Sequence, residues 1–112
     1  MPQLLEQHCA PVAKGSAALA AKSCAGLLAQ IPEWQLNTDN TAISREFHFK
    51  NFHHTMAFVN ALAWIAHQED HHPDMEVGYN RCMVKFSTHS IGGLSMNDFI
   101  CAAKINQLVA NS

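Results

Sequence analysis

The stretch HQEDHHPD, residues 67–74, holds three histidines and three acids around one proline. Histidine is the side chain whose ordinary titration lies nearest neutral pH, so it is the default proton donor or acceptor in a cell. His71 and His72 stand side by side before Pro73, which biases the residue ahead of it toward extended geometry. A helix reaching this point must therefore close, and the two imidazoles diverge instead of stacking on one face. Two plainer accounts compete with acid and base chemistry. The pair can simply end the helix as exposed imidazoles, or His67 and His71, spaced i, i+4, can begin a zinc site. For the second account the glutamate of HQEDH falls one place too late for the H-E-x-x-H arrangement, and no cysteine is close in sequence.

A second cluster is STHSIGGLSMND, residues 87–98. His89 ends a strand-like run just before Gly92 and Gly93, where side chains reach a cleft from a loop held by a rigid scaffold. Ser95 followed by Asp98 has the spacing of a helix capping box, which is the local account of that acid.

These residues need elements to position them, and the periodicities supply them. Residues 1–15, with Pro2, Pro11 and Gly15, show no period and are expected to be a loose N-terminal arm; residues 16–112 form one domain. A helix is expected from Ser16, with Leu19, Leu27, Leu28 and Ile31 among alanines, ended by Pro32. EWQLN and TAISREFHFK flank the turn TDN as a hairpin, with Ile43, Phe47 and Phe49 on one face and Ser44, Glu46 and His48 on the other. Helical period returns over 52–67, with a polar stripe at His53, Asn60 and His67 and apolar residues spread so widely that part of the helix is expected to meet another subunit. Met75, Val77 and Tyr79, then Cys82, Val84 and Phe86, alternate as a second hairpin turning near Asn80. A last helix runs through Phe99, Ile105 and Val109. The order α-β-β-α-β-β-α implies an α+β domain, a four-stranded antiparallel sheet with helices on one face.

Composition narrows the function. The chain has 112 residues, enough for one core without staples, and with 48% apolar and 14% charged residues it reads as globular rather than disordered. A net charge of −2 without a basic cluster speaks against direct nucleic-acid binding. The alanine-rich run at 17–29 is interrupted by Lys22 and Ser23, so it is expected to be a helix off the membrane. Cys9, Cys24, Cys82 and Cys101 form no C-x-x-C pair and follow no secretory leader, which suits a reduced, cytoplasmic protein.

Taken together, H-x-x-x-H-H-P at 67–73, Tyr79, Thr88-His89, Gly93-Leu94-Ser95 and Asp98 closely resemble the signature of the pterin-4a-carbinolamine dehydratases, with IPEW at 31–34 and FHFKNF at 47–52 adding to it. The resemblance covers about residues 16–110 and leaves out the arm. It implies the fold argued above, association as a homodimer or homotetramer, and removal of water from a 4a-hydroxytetrahydropterin to give quinonoid dihydropterin. Such a reaction recycles the pterin of aromatic amino-acid hydroxylases, with no metal and no added cofactor. By position it makes His71, His72 and His89 the catalytic histidines: His71 and His89 as acid and base in either order, His72 mainly holding the pterin. His67, Pro73, Tyr79 and Asp98 would bind or orient the substrate. At the position four before His71 the family often has glutamate, where this chain has His67. Some members of the family also stabilise dimers of a homeodomain transcription factor, so an interaction role is one alternative; action on a different pterin, such as a molybdopterin-related one, is another.

Overall fold

Alternation along the two central strands sets the architecture. Ile43 and Phe47 on one strand, and Cys82, Val84 and Phe86 on its neighbour, are buried, while Ser44, Glu46, Met83 and Lys85 between them are more exposed. One face of the sheet is therefore apolar and must be covered by helices. The computed structural model describes residues 3–110. Its elements are α1 (Ala21–Leu28), β1 (Gln35–Leu36), β2 (Ile43–His48), α2 (Phe52–Glu69), β3 (Asp74–Val77), β4 (Arg81–Phe86) and α3 (Met96–Val109), with 3-10 turns at Leu4–Glu6 and His89–Ile91. This is the expected order. The four strands form one antiparallel sheet in the order β1-β2-β4-β3, with Ile43 opposite Phe86 and Asp74 opposite Lys85.

Against the apolar face pack Leu27 of α1, Phe58 and Leu62 of α2, and Phe99 and Ile105 of α3, all within one core cluster. Trp34 anchors the first hairpin: it is buried, lies 6.1 Å from Phe47 and 5.9 Å from Phe86 between ring centroids, and its indole N–H donates to Asn106 Oδ1 at 2.8 Å. β3 has all four residues exposed, so the sheet edge beyond it is uncovered.

Two segments differ from the sequence reading. α1 begins at Ala21 rather than Ser16, and its N-cap, Ala20, makes no side-chain cap. Residues 16–20 instead cross the Gly93–Leu94 turn, where the Leu19 N–H donates to Leu94 O at 2.9 Å. The arm is not loose where it is described. Leu4 is buried in the core cluster, Lys104 Nζ donates to Leu5 O at 3.0 Å, and Asn97 bonds both the N–H and the C=O of Ala10. These contacts join side chains to backbone across some ninety positions, so they impose no period on the arm.

Candidate active site

Two chain reversals bring the site together. At the end of α2 Asp70 adopts the left-handed conformation, φ 52° and ψ 44°, and the His71 N–H donates back to Ala66 O at 3.1 Å. This closes the helix as a left-handed cap does, and turns the His71 side chain inward while Pro73 starts β3. At the end of β4 the chain folds through Thr88 to Gly93, whose main chains are paired by a 2.8 Å bond from the Thr88 N–H to Gly93 O. Gly93 is needed there: a Cβ would lie 2.7 Å from the Ala18 Cβ. The turn delivers Ser95 to the start of α3, where its N–H donates to Asp98 Oδ2 at 2.9 Å as the capping-box spacing predicts.

Asp98 does more than cap. It is fully buried, and its other oxygen, Oδ1, lies 2.6 Å from His71 Nε2, while Oδ2 also accepts from the Thr88 hydroxyl at 2.8 Å. Because Thr88 spends its one proton on Asp98, the Ser95 hydroxyl must donate to Thr88 Oγ across their 2.8 Å contact. The carboxylate thus accepts from three groups, at the end of α2, in the turn after β4 and at the N-cap of α3. A carboxylate that only accepts puts the imidazole proton on Nε2 and leaves Nδ1 as the nitrogen able to meet a substrate. The His71 ring is held flat as well, stacked on Phe86 with centroids 5.7 Å apart and planes 11° apart. Its side chain keeps 13% exposure, enough to be reached from outside while its partner is sealed.

His71 opens on a cleft of about 470 Å³ whose walls include 68–71, Thr88, Ser90, Asn97 and, from the arm, residues 9–12. Glu69 lies on this wall. Burial would raise its pKa, but the Cys9 N–H at 2.7 Å, the His8 ring at 2.9 Å and the Lys104 charge outweigh burial and hold it below the usual carboxylate range. Cys101, behind the same wall, has its thiol pushed far above the ordinary range by its contact with Cys9 Sγ at 3.5 Å and by burial.

The other residues singled out in the sequence fall into two groups. His72 and His89 are exposed at the same end of the sheet as His71, one just before β3 and one just after Thr88, but neither lines the cleft on which His71 opens, and Pro73 is buried between α2 and β3. His67 is exposed on α2 with its ring 5.5 Å from Trp64. Tyr79 stands apart: it is in the turn joining β3 to β4, at the far end of that hairpin from His71, with 66% exposure and only its carbonyl engaged, by Thr55 Oγ. Within this single chain it does not join the His71 cleft. Among the described residues no three His, Cys, Asp or Glu side chains converge as a metal site requires. The contributions of Glu69, Asn97 and residues 9–12 were not visible in sequence, since nothing local marks a side chain that grips backbone 60 or 87 positions away.

Comparison with known proteins bears on the family and the fold. A family model described as pterin 4 alpha carbinolamine dehydratase matches residues 17–108. Relatives carrying the provisional name pterin-4-alpha-carbinolamine dehydratase include one from Nitrosomonas eutropha, 56% identical over 107 residues, 95% of this chain and 93% of its own. Another, from Legionella pneumophila, is 52% identical over 109 residues, 96% of each chain, so most of the arm falls within the match although the family model does not reach it. The crystal structure of a transcriptional coactivator/pterin dehydratase from Brucella melitensis superposes with a TM-score of 0.78 at 33% identity, over 81% of this chain and 97% of that one. A pterin dehydratase-like protein identified as a RuBisCO assembly factor of the alpha-carboxysome shares the fold at a TM-score of 0.61 and 20% identity, over 71% of this chain and 93% of that one.

Proposed function

The chain belongs to the pterin 4 alpha carbinolamine dehydratase family, and from that premise we propose that it removes water from a 4a-hydroxytetrahydropterin, with His71 and His89 as the acid and base and His72 holding the pterin. The observation that carries this reading is the His71 to Asp98 pair, a ring fixed in tautomer and plane at the mouth of a cleft.

Dehydration of a carbinolamine is redox neutral. A protonated imidazole gives its proton to the 4a-hydroxyl, the carbon–oxygen bond breaks, and the electron pair leaves with water. The lone pair of the adjacent ring nitrogen closes a carbon–nitrogen double bond as that nitrogen's proton passes to a neutral imidazole. An acid and a base must therefore face one small bicyclic ring from different elements, which suits histidines at the end of α2 and beyond β4. Asp98 is a positioning residue that keeps His71 oriented. The product, quinonoid dihydropterin, is what an aromatic amino-acid hydroxylase needs returned to its reduced form, so we place the protein beside such an enzyme, in the cytoplasm. No described helix is long and apolar enough to cross a membrane, and its four cysteines are free.

Acceleration of the loss of 4a-hydroxytetrahydropterin, generated in place by a hydroxylase, over the spontaneous rate tests the reading. His71→Ala and His89→Ala should each lower turnover by about 10²–10⁴. Wild-type rates in a folded His89→Ala variant would remove that residue from the mechanism.

An interaction role is the second reading. It is favoured by Trp64, 61% exposed on α2 within the stripe of His53, Asn60 and His67. The Brucella protein's description pairs coactivator with dehydratase. Such a role would survive loss of His71.

A further inference from the structure

The N-terminal arm reaches the His71 cleft and lines one side of it, and its anchors are the neighbours of the catalytic pair. Glu69 precedes His71 by two residues at the end of α2, and Asn97 precedes Asp98 in the first turn of α3. Asn97 grips Ala10 as a neighbouring strand would: its Oδ1 accepts from the Ala10 N–H at 3.0 Å and its Nδ2 donates to Ala10 O at 2.8 Å. Glu69 accepts from the Cys9 N–H at 2.7 Å through one oxygen and meets His8 Nδ1 at 2.9 Å through the other. Cys9 Sγ rests 3.5 Å from Cys101 Sγ beneath them. Asn97 is buried and the Glu69 side chain is 8% exposed, so the bonds to Ala10 and to the Cys9 amide are largely shielded from competing water, while the His8 ring stays 79% exposed. The two helix ends that hold the dyad thus also hold residues 9–12 across from it.

We propose, on the dehydratase reading above, that residues 9–12 are a substrate-binding wall of the active site, with Asn97 and Glu69 as positioning residues that fix it against His71. The cleft they border, about 470 Å³, is in the range of a small-molecule site and is lined by His71, Thr88 and Ser90, with His72 and His89 flanking it in sequence but outside its lining. Without the arm the ring of the substrate would be bounded by α2, α3 and the Thr88 turn and open to solvent on the remaining side. The wall binds substrate and transition state alike, so its loss acts on KM and spares kcat.

The test uses two full-length variants that attack the grip from opposite sides. Asn97→Ala removes the clamp, and Ala10→Pro removes the amide it holds while leaving α3 untouched. Each should raise KM for 4a-hydroxytetrahydropterin by about tenfold with kcat within about twofold of wild type. In the wild-type protein, 7,8-dihydrobiopterin should slow hydrogen exchange at the amides of Cys9, Ala10 and Val12. An unchanged KM in a folded Ala10→Pro variant, or no protection of these amides by a pterin that binds, overturns the wall. If Asn97→Ala does not fold, Ala10→Pro alone decides. A wild-type protein that neither dehydrates nor binds pterin would sink the dehydratase reading itself, and the wall with it.

Discussion

Asp98 serves as a helix cap and as the partner of His71, and the two duties were unequally legible. The spacing of Ser95 and Asp98 announces the cap because both partners lie within one helical turn. The bond to His71 crosses 27 positions and depends on the left-handed turn at Asp70, a conformation that no residue type dictates at an aspartate. Asp98→Asn tests both duties together. Its single carbonyl oxygen cannot accept from His71, Thr88 and the Ser95 N–H together, so a buried donor is left unpaired or the imidazole changes tautomer. Stability should fall by about 1–3 kcal/mol, read by urea denaturation, and turnover by about tenfold or more, read in the dehydration assay. Glu69 makes a prediction in pH. Its pKa is lower in the folded protein than in the unfolded chain, so its contribution is complete above the unfolded value and is lost as pH falls through the folded one. The amide of Cys9 should therefore lose its protection from hydrogen exchange under acid, below the ordinary carboxylate range, before the core opens. Protection that persists until global acid unfolding would contradict this.

At the scale of elements the alternating strands and the long helix were readable, since each carries a period that burial enforces: β4 buries every second residue, β2 buries Ile43 and Phe47 on the same face with Arg45 partly covered between them, and α2 ends within two residues of the expected position. The start of α1 was not readable. Ala17, Ala18, Leu19 and Ala20 favour helix by propensity, yet the bond from the Leu19 N–H to Leu94 O holds that segment against another turn. Two glycines separate propensity from tertiary contact. Gly93→Ala would press a Cβ to 2.7 Å from Ala18 and should cost about 1–3 kcal/mol. Gly26→Ala, within α1 with nothing inside 4 Å of its Cβ, should stabilise by about 0.4–1 kcal/mol. Thermal denaturation of both variants checks the pair, and equal shifts would mean that the crossing of residues 16–20 over the turn does not constrain the fold.

For the whole molecule, the uncovered edge of β3, with Met75 and Val77 exposed, and the exposed Trp64 and Phe52 of α2 offer apolar surface and an unpaired strand to a second copy of the chain. The molecule should therefore run in light scattering as a multiple of its chain mass, and Trp64→Glu should shift it toward a smaller species if α2 is one of the interfaces. A monomer at micromolar concentration would refute this. The grip of Asn97 on Ala10 spans 87 positions, and its consequence reaches into biosynthesis. At translation speeds of about 5–20 residues per second, residue 10 is made roughly 4–17 s before the side chain that clamps it. Through that interval Cys9 is a thiol without the residues that cover it, and β4, on which β2 and β3 pair, is complete only shortly before Asn97. The pocket is then among the last parts of the molecule to close, so damage to Cys9 on the ribosome would be built into a domain that otherwise folds.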